Sequence, residues 1–372
     1  MVLKMNCTAV DYDHCIVNVM NSVREYMGIS VHHPGDEEVS AWLQKNQFEQ
    51  VVVFLIDGMG SRLISAKLPQ SSYLRSNMLK EVTTVYPSTT AAVTTCVATG
   101  KTPVENGWVG WHQYFSELDD SVIMFMNRSF YQDQSYPGYS YQHVPFINQV
   151  QQMKDKGISA CELYPAFRPG GAHDFKEMTD QIVQHSHDQD VRFIYAYWDE
   201  FDTLAHHEGP SSQQCTDDLN EINDLCEKMA DRLDQRTGVL IIADHGQIDV
   251  ENIDISQDRE LLDCLYFMPT LETRGTAYHV KKECHEKFER LFNQKYGQWF
   301  ILKPSEQWVK EGLFGQGEPH PRVMEFLGDY YSVAIDRYCI GLFDPAKKPL
   351  KGQHAGTVTE EMMIPVITCQ KK

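Results

Sequence analysis

The chain predicts a doubly wound, mostly parallel α/β sheet with helices on both faces, plus a small inserted α+β subdomain. Three observations carry that expectation. Val51 to Ile56 is a continuous apolar run closed by Asp57-Gly58, the pattern of a parallel strand buried on both faces with a carboxylate at its C-terminal end. Between residues 144 and 243, helical patterns alternate with short apolar strands, as parallel pairing through crossover helices requires. Beyond Gln257 the rhythm breaks into strand, helix, strand, helix, so residues 258–325 are expected to form an inserted cap and residues 1–257 with 326–372 the core.

In chain order, residues 1–49 hold a helical pattern from Val17 to Met27 and a Pro-containing connector, with no chemistry in view. After the buried strand comes Tyr86 to Gly100, YPSTTAAVTTCVATG. Pro87 ends an extended segment, Ser88 can cap, Ala91 and Ala92 favour helix and Gly100 stops it, which puts Thr89 and Thr90 in the first turn. Trp108 to Tyr141 then holds ten aromatics and reads as a lid or substrate wall, a subunit interface being the alternative. Its candidates for touching substrate are Trp108, Trp111 and Tyr114.

Helices are expected near 144–155, 174–186 and 211–233, with strands at Ile158 to Leu163, Arg192 to Tyr197 and Gly238 to Ala243. The last two strands run into polar clusters, DEFDTLAHHEGP from Asp199 and DHG from Asp244. The inserted segment offers strands at Thr276 to Val280 and Trp299 to Leu302, with helices at Cys284 to Gln294 and Ser305 to Glu311. Core pattern returns at Tyr331 to Ala334 and Arg337 to Phe343, and the chain closes on GQHAG and the apolar Met362 to Ile367.

Composition bounds the partners. Thirty-three basic against 52 acidic side chains leave a formal charge of −19, which repels polymeric nucleic acid and anionic membranes. A phosphate-bearing substrate must therefore meet local positive charge, and metal ions would supply it. No stretch approaches the roughly 18 consecutive apolar residues of a spanning helix, the N-terminus lacks a secretory h-region, and the ten cysteines are scattered. The expectation is a cytoplasmic protein acting on a small molecule.

The polar residues that fall just after strands or in Gly-flanked loops are Asp57, Thr90, Asp202, His206, Asp244, His245 and His354. Three carboxylates and three imidazoles around one hydroxyl are enough for two transition-metal ions, and a mixed Asp/His set suits Zn²⁺ better than Mg²⁺ or Ca²⁺. Asp202 and His206, four apart, would share one helix face.

The motifs LIDGMG, YPSTTAAVTTCVATGKTPVENGW, YWDEFDTLAHHEGP, ADHG and GQHAG with EEMMIP, in this order, resemble the alkaline phosphatase superfamily. Within it they are most similar to the type I phosphodiesterase and nucleotide pyrophosphatase family. The resemblance runs from about Val51 to Val366, leaving out the first 50 residues and 258–325. It implies an alkaline phosphatase-like fold, two zinc ions and a threonine nucleophile. Carried over, Asp57, Thr90, Asp244 and His245 would surround one ion, and Asp202, His206 and His354 the other. Two positions depart from the family pattern: Thr89 stands for a lysine before the nucleophile, and Trp111 for an asparagine that helps hold a phosphoryl oxygen.

The implied chemistry is hydrolysis of a small phosphodiester, such as a nucleotide or its pyrophosphate bond, by attack of Thr90 on phosphorus and hydrolysis of the resulting phosphothreonine. Bound zinc would supply the acidity, since it can bring a coordinated water from a pKa of about 15.7 to about 7. A phosphomonoesterase, a phosphonate hydrolase and a non-catalytic binding protein of this fold are the alternatives.

Overall fold

In the computed structural model, which describes residues 6–371, six strands form the central sheet. They are β1 (Gln50–Ile56), β2 (Met78–Thr83), β3 (Ala160–Leu163), β4 (Phe193–Trp198), β5 (Thr237–Ile242) and β6 (Met363–Gln370). Their spatial order is β2-β6-β5-β1-β4-β3, with only β6 antiparallel to its neighbours. All seven residues of β1 are buried, because helices cover both faces of the sheet. The strand that sequence pattern did not announce is β2, MLKEVT, whose charged residues suit an edge position.

β1 lies between β5 and β4, with Leu55 opposite Ile242 and Ile56 opposite Trp198. The three strands therefore end side by side. Each of them runs on into a polar cluster, so Asp57, Asp244 and the helix carrying Asp202 meet at one edge, the carboxyl edge where open α/β sheets bind ligands.

A second layer differs from the expected one. The aromatic stretch is not an open loop: His112–Phe115, Asp120–Ile123 and Arg128–Ser129 are antiparallel strands of a seven-stranded sheet. The others are Leu265–Leu271, Gly275–Val280, Phe300–Pro304 and Tyr330–Ala334, so residues 258–325 supply part of this sheet and the segments on either side supply the rest. Trp108 and Phe115 pack with Tyr86, Phe314, Phe326 and Tyr331 in its core. Among the described residues no helix is long and apolar enough to cross a membrane.

One ion pair ties the two layers together. The Arg274 guanidinium donates from Nε to Glu361 Oε1 and from Nη2 to Oε2, both at 2.7 Å, and both side chains are fully buried. Nη1 donates to the carbonyls of Asp336 and Tyr338, while Glu361 also accepts from the N–H of Gly356 and Val358. Every charge-bearing atom is thus satisfied, the condition under which burying such a pair is tolerable.

Arg274→Met leaves the Glu361 carboxylate buried without its partner, a loss of about 3–5 kcal/mol. Thermal unfolding should show a clear drop in melting temperature, and Arg274→Met with Glu361→Leu should recover part of it. An unchanged single variant would show that the pair does not hold the layers.

Candidate metal centre and active site

Thr90 supplies the hydroxyl. Helix α1 spans Thr90–Thr99, with Thr89 as N-cap in extended conformation and Gly100 as C-cap at φ 72°. Ser88, expected to cap, instead donates to the Gly356 carbonyl at 3.0 Å, and Thr89 Oγ1 donates to Glu272 Oε1 at 2.6 Å. The first intrahelical bond runs from the Val93 N–H to the Thr89 carbonyl. The N–H groups of Thr90, Ala91 and Ala92 are therefore left without helical partners, a standing source of positive potential. Thr90 Oγ1 sits 3.2 Å from His245 Nε2 and 3.5 Å from Asp57 Oδ1.

The carboxylates gather around it. Helix α2, Glu200–Glu208, begins two residues after β4 and puts Asp202 and His206 one turn apart, Oδ2 to Nε2 at 3.1 Å. His245 Nε2 is 3.4 Å from both Asp57 Oδ1 and Asp244 Oδ2. His354 stacks on His245 with ring centres 3.7 Å apart and lies 5.1 Å from His206. All seven residues expected from sequence are brought into one cluster. The ligating atoms of Asp202, His206 and His354 lie within 4.8 Å of one another, as do those of Asp57, Asp202 and His245.

The imidazoles are aimed by the backbone. Nδ1 of His206, His245 and His354 meets the carbonyls of Gly352, Gly246 and Ser88 at 2.8, 3.1 and 2.9 Å. A carbonyl only accepts, so each Nδ1 carries the proton and each Nε2 is turned to the carboxylates, as metal-ligating histidines are held. Gly246 is required here: a Cβ would come 2.0 Å from the Glu360 carbonyl. Ala355, beside His354, sits at φ 83°, a conformation that costs a non-glycine residue about 1–3 kcal/mol and is found at functional sites.

Electrostatics asks for a cation. Burial, reinforced by the neighbouring Asp244 and Asp202 charges, pushes the Asp57 carboxyl well above the usual range, and burial raises Asp244 too. Burial also opposes ionisation of Asp202, but the charges of His206, His354 and His245 outweigh it and hold its carboxyl down. Asp244 Oδ2 is buried with no hydrogen-bond partner. An orphaned carboxylate oxygen among two further carboxylates and three Nε2 atoms fits a divalent cation and fits little else.

Several neighbours escaped sequence reasoning. Tyr197 donates its hydroxyl to Asp57 Oδ2, and the Gln247 amide donates to Asp202 Oδ1. Tyr197 lies on the strand that leads into the DEFD cluster, the one signal that pointed near it. Glu272 accepts at Oε1 from Thr89 Oγ1 at 2.6 Å and from the Trp111 N–H at 2.8 Å, and burial pushes its carboxyl up to about 7.

The expected substrate wall is corrected. Trp108 is fully buried, its indole N–H donating to the Val144 carbonyl, because it serves the core of the second sheet. Tyr114 packs on Phe267 and His279 and borders a different cavity, with Tyr266, His285 and Tyr330. Only Trp111 is linked to the cluster, through its backbone bond to Glu272.

A carboxylate–imidazole cluster at the ends of parallel strands, beside a hydroxyl at a helix N-terminus, is the arrangement of a metal-dependent hydrolase. The sequence model of the type I phosphodiesterase / nucleotide pyrophosphatase family matches residues 51–290, and the chain belongs to that family. Among solved structures it is similar in fold to murine ectonucleotide pyrophosphatase / phosphodiesterase 5, at 17% identity and a TM-score of 0.63, covering 85% of this chain and 87% of that one. The inactive threonine-to-alanine variant of that murine protein in complex with AMP matches equally, at 17% and 0.63, over 86% and 87%. The human protein of the same name matches at 16% and 0.61, over 87% and 88%. No curated protein matches by sequence.

Because the buried carboxylates repel one another until a cation shares their charge, adding a divalent metal to chelator-treated protein should raise its melting temperature. Binding at a hundredfold excess over Kd is worth about 2.7 kcal/mol. Asp244→Asn should shrink the rise. A melting temperature indifferent to metal, in protein that also carries none, would count against the site.

Proposed function

We propose that this chain hydrolyses phosphodiester or nucleotide pyrophosphate bonds of small molecules, with Thr90 as nucleophile and two zinc ions as cofactors. The observation that carries the reading is the position of Thr90 Oγ1, at the first residue of a helix and within 3.5 Å of both Asp57 Oδ1 and His245 Nε2. Family membership supports phosphodiester hydrolysis, and the AMP bound by the murine relative supports a nucleotide on one side of the scissile bond.

Asp57, Thr90, Asp244 and His245, joined by contacts of 3.2–3.5 Å, would hold one ion, and Asp202, His206 and His354 the other. When bound, the ions supply Lewis acidity for the nucleophile and the leaving oxygen. The chain does the rest. Thr90 Oγ forms the new O–P bond as the first ester oxygen leaves, and water then cleaves the phosphothreonine to free the enzyme. The unpaired N–H groups of Thr90, Ala91 and Ala92 are donors for the non-bridging oxygens, fixed before the reaction begins. Tyr197 and Gln247 orient Asp57 and Asp202, so the ligand set need not rearrange.

The test compares bis-p-nitrophenyl phosphate with p-nitrophenyl phosphate, with and without zinc. Zinc-loaded enzyme should favour the diester, and Thr90→Ala should lose activity by several orders of magnitude while keeping fold and metal. Preference for the monoester would move the function to a phosphomonoesterase, and a Thr90→Ala variant at wild-type rate would remove the nucleophile.

A further inference from the structure

We propose that Glu272 is the residue by which this site rejects phosphate monoesters in favour of diesters, an inference that rests on the phosphodiesterase reading above. Glu272 stands at the tip of the hairpin joining Leu265–Leu271 to Gly275–Val280, where its own N–H donates to the Gly275 carbonyl. The preceding Leu271 sits at φ 76°, a left-handed turn that a buried branched residue adopts only under constraint. Two residues on, Arg274 is clamped to Glu361, whose carboxylate also holds the Gly356 N–H just after His354. The hairpin tip is thereby fixed against the active-site edge of the central sheet.

Its carboxylate takes up two donors beside the N-terminus of the helix carrying Thr90. Oε1 accepts from the hydroxyl of Thr89, the residue before Thr90, and from the N–H of Trp111. Among the described residues no donor meets Oε2 of this half-buried side chain. Residues 89 and 111, distant in sequence, both meet this one carboxylate. Arg274, the neighbouring cation, is spent on Glu361.

Charge then decides the substrate. A phosphodiester carries one negative charge, whereas a monoester carries about −1.5 to −2 at pH 7. Both substrates meet the same three ligating carboxylates and the same cations, so what separates them is the additional negative charge of the monoester. Above pH 7, where the Glu272 carboxyl is ionised, that extra charge meets a like charge one residue from Thr90, through Thr89, and like charges brought together at a binding surface act as a device against the wrong partner.

The experiment measures kcat/KM for both nitrophenyl substrates with zinc-loaded wild type, Glu272→Gln and Glu272→Ala, and the affinity of each protein for inorganic phosphate and for dimethyl phosphate by calorimetry. Glu272→Gln keeps an acceptor for Thr89 and Trp111 but loses the charge. It should raise the monoester-to-diester ratio roughly tenfold or more, chiefly through KM for the monoester, and tighten inorganic phosphate while leaving dimethyl phosphate unchanged. Glu272→Ala should move the ratio the same way, so a fold defect in one variant leaves the other decisive. An unchanged ratio and unchanged phosphate affinity, or an equal fall for both substrates with normal zinc content, would overturn the proposal. A wild type without diesterase activity would overturn the phosphodiesterase reading instead, and the phosphate affinities would still decide whether Glu272 repels the extra charge.

Discussion

Three carboxylates are forced together where β1, β4 and β5 end, and most of the surrounding architecture answers that constraint. Asp57 and Asp244 follow adjacent parallel strands, and Asp202 is delivered by the helix that starts just past the third. Buried like charges at this spacing are costly in a medium less polar than water, so the site is stable only in company with positive charge. His206, held beside Asp202, and the N-terminus of the helix carrying Thr90 supply the protein's share of it, while the backbone carbonyls that meet Nδ1 of all three imidazoles aim their Nε2 atoms inward. The remainder is left for divalent ions, and the buried, unpartnered Oδ2 of Asp244 is the clearest sign of where one is wanted.

The second sheet contributes differently. It brings no metal-ligating side chain into the cluster but leans a hairpin against it, anchored by the Arg274–Glu361 pair. That pair also grips the loop carrying His354, through the Gly356 N–H, so one buried contact sets both the last imidazole and the position of Glu272. Stability and specificity are coupled at this point, since loosening the clamp would move a ligand and a selectivity residue together.

Much of this was legible in the sequence, and for identifiable reasons. An apolar run ending in Asp-Gly announces a buried strand and the end of it, which located Asp57, and ADHG did the same for Asp244 and His245. The i, i+4 spacing put Asp202 and His206 on one helix face. The aromatic stretch misled because large apolar side chains signal burial as readily as binding: Trp108 and Tyr114 are taken up by the second sheet, where antiparallel pairing, not an open loop, satisfies the backbone. Glu272 left no trace, since a single glutamate after a strand has no period and no motif, and its partners lie 183 and 161 residues away. The Arg274–Glu361 contact spans 87 residues and was equally invisible.

The stereochemical course at phosphorus tests the central claim most directly. Hydrolysis, in isotopically labelled water, of a diester made chiral at phosphorus by sulfur substitution should retain configuration, because attack by Thr90 and release by water are two in-line displacements that each invert it. Inversion would mean that water attacks phosphorus in a single step, and the hydroxyl at the head of the helix would then be no nucleophile at all.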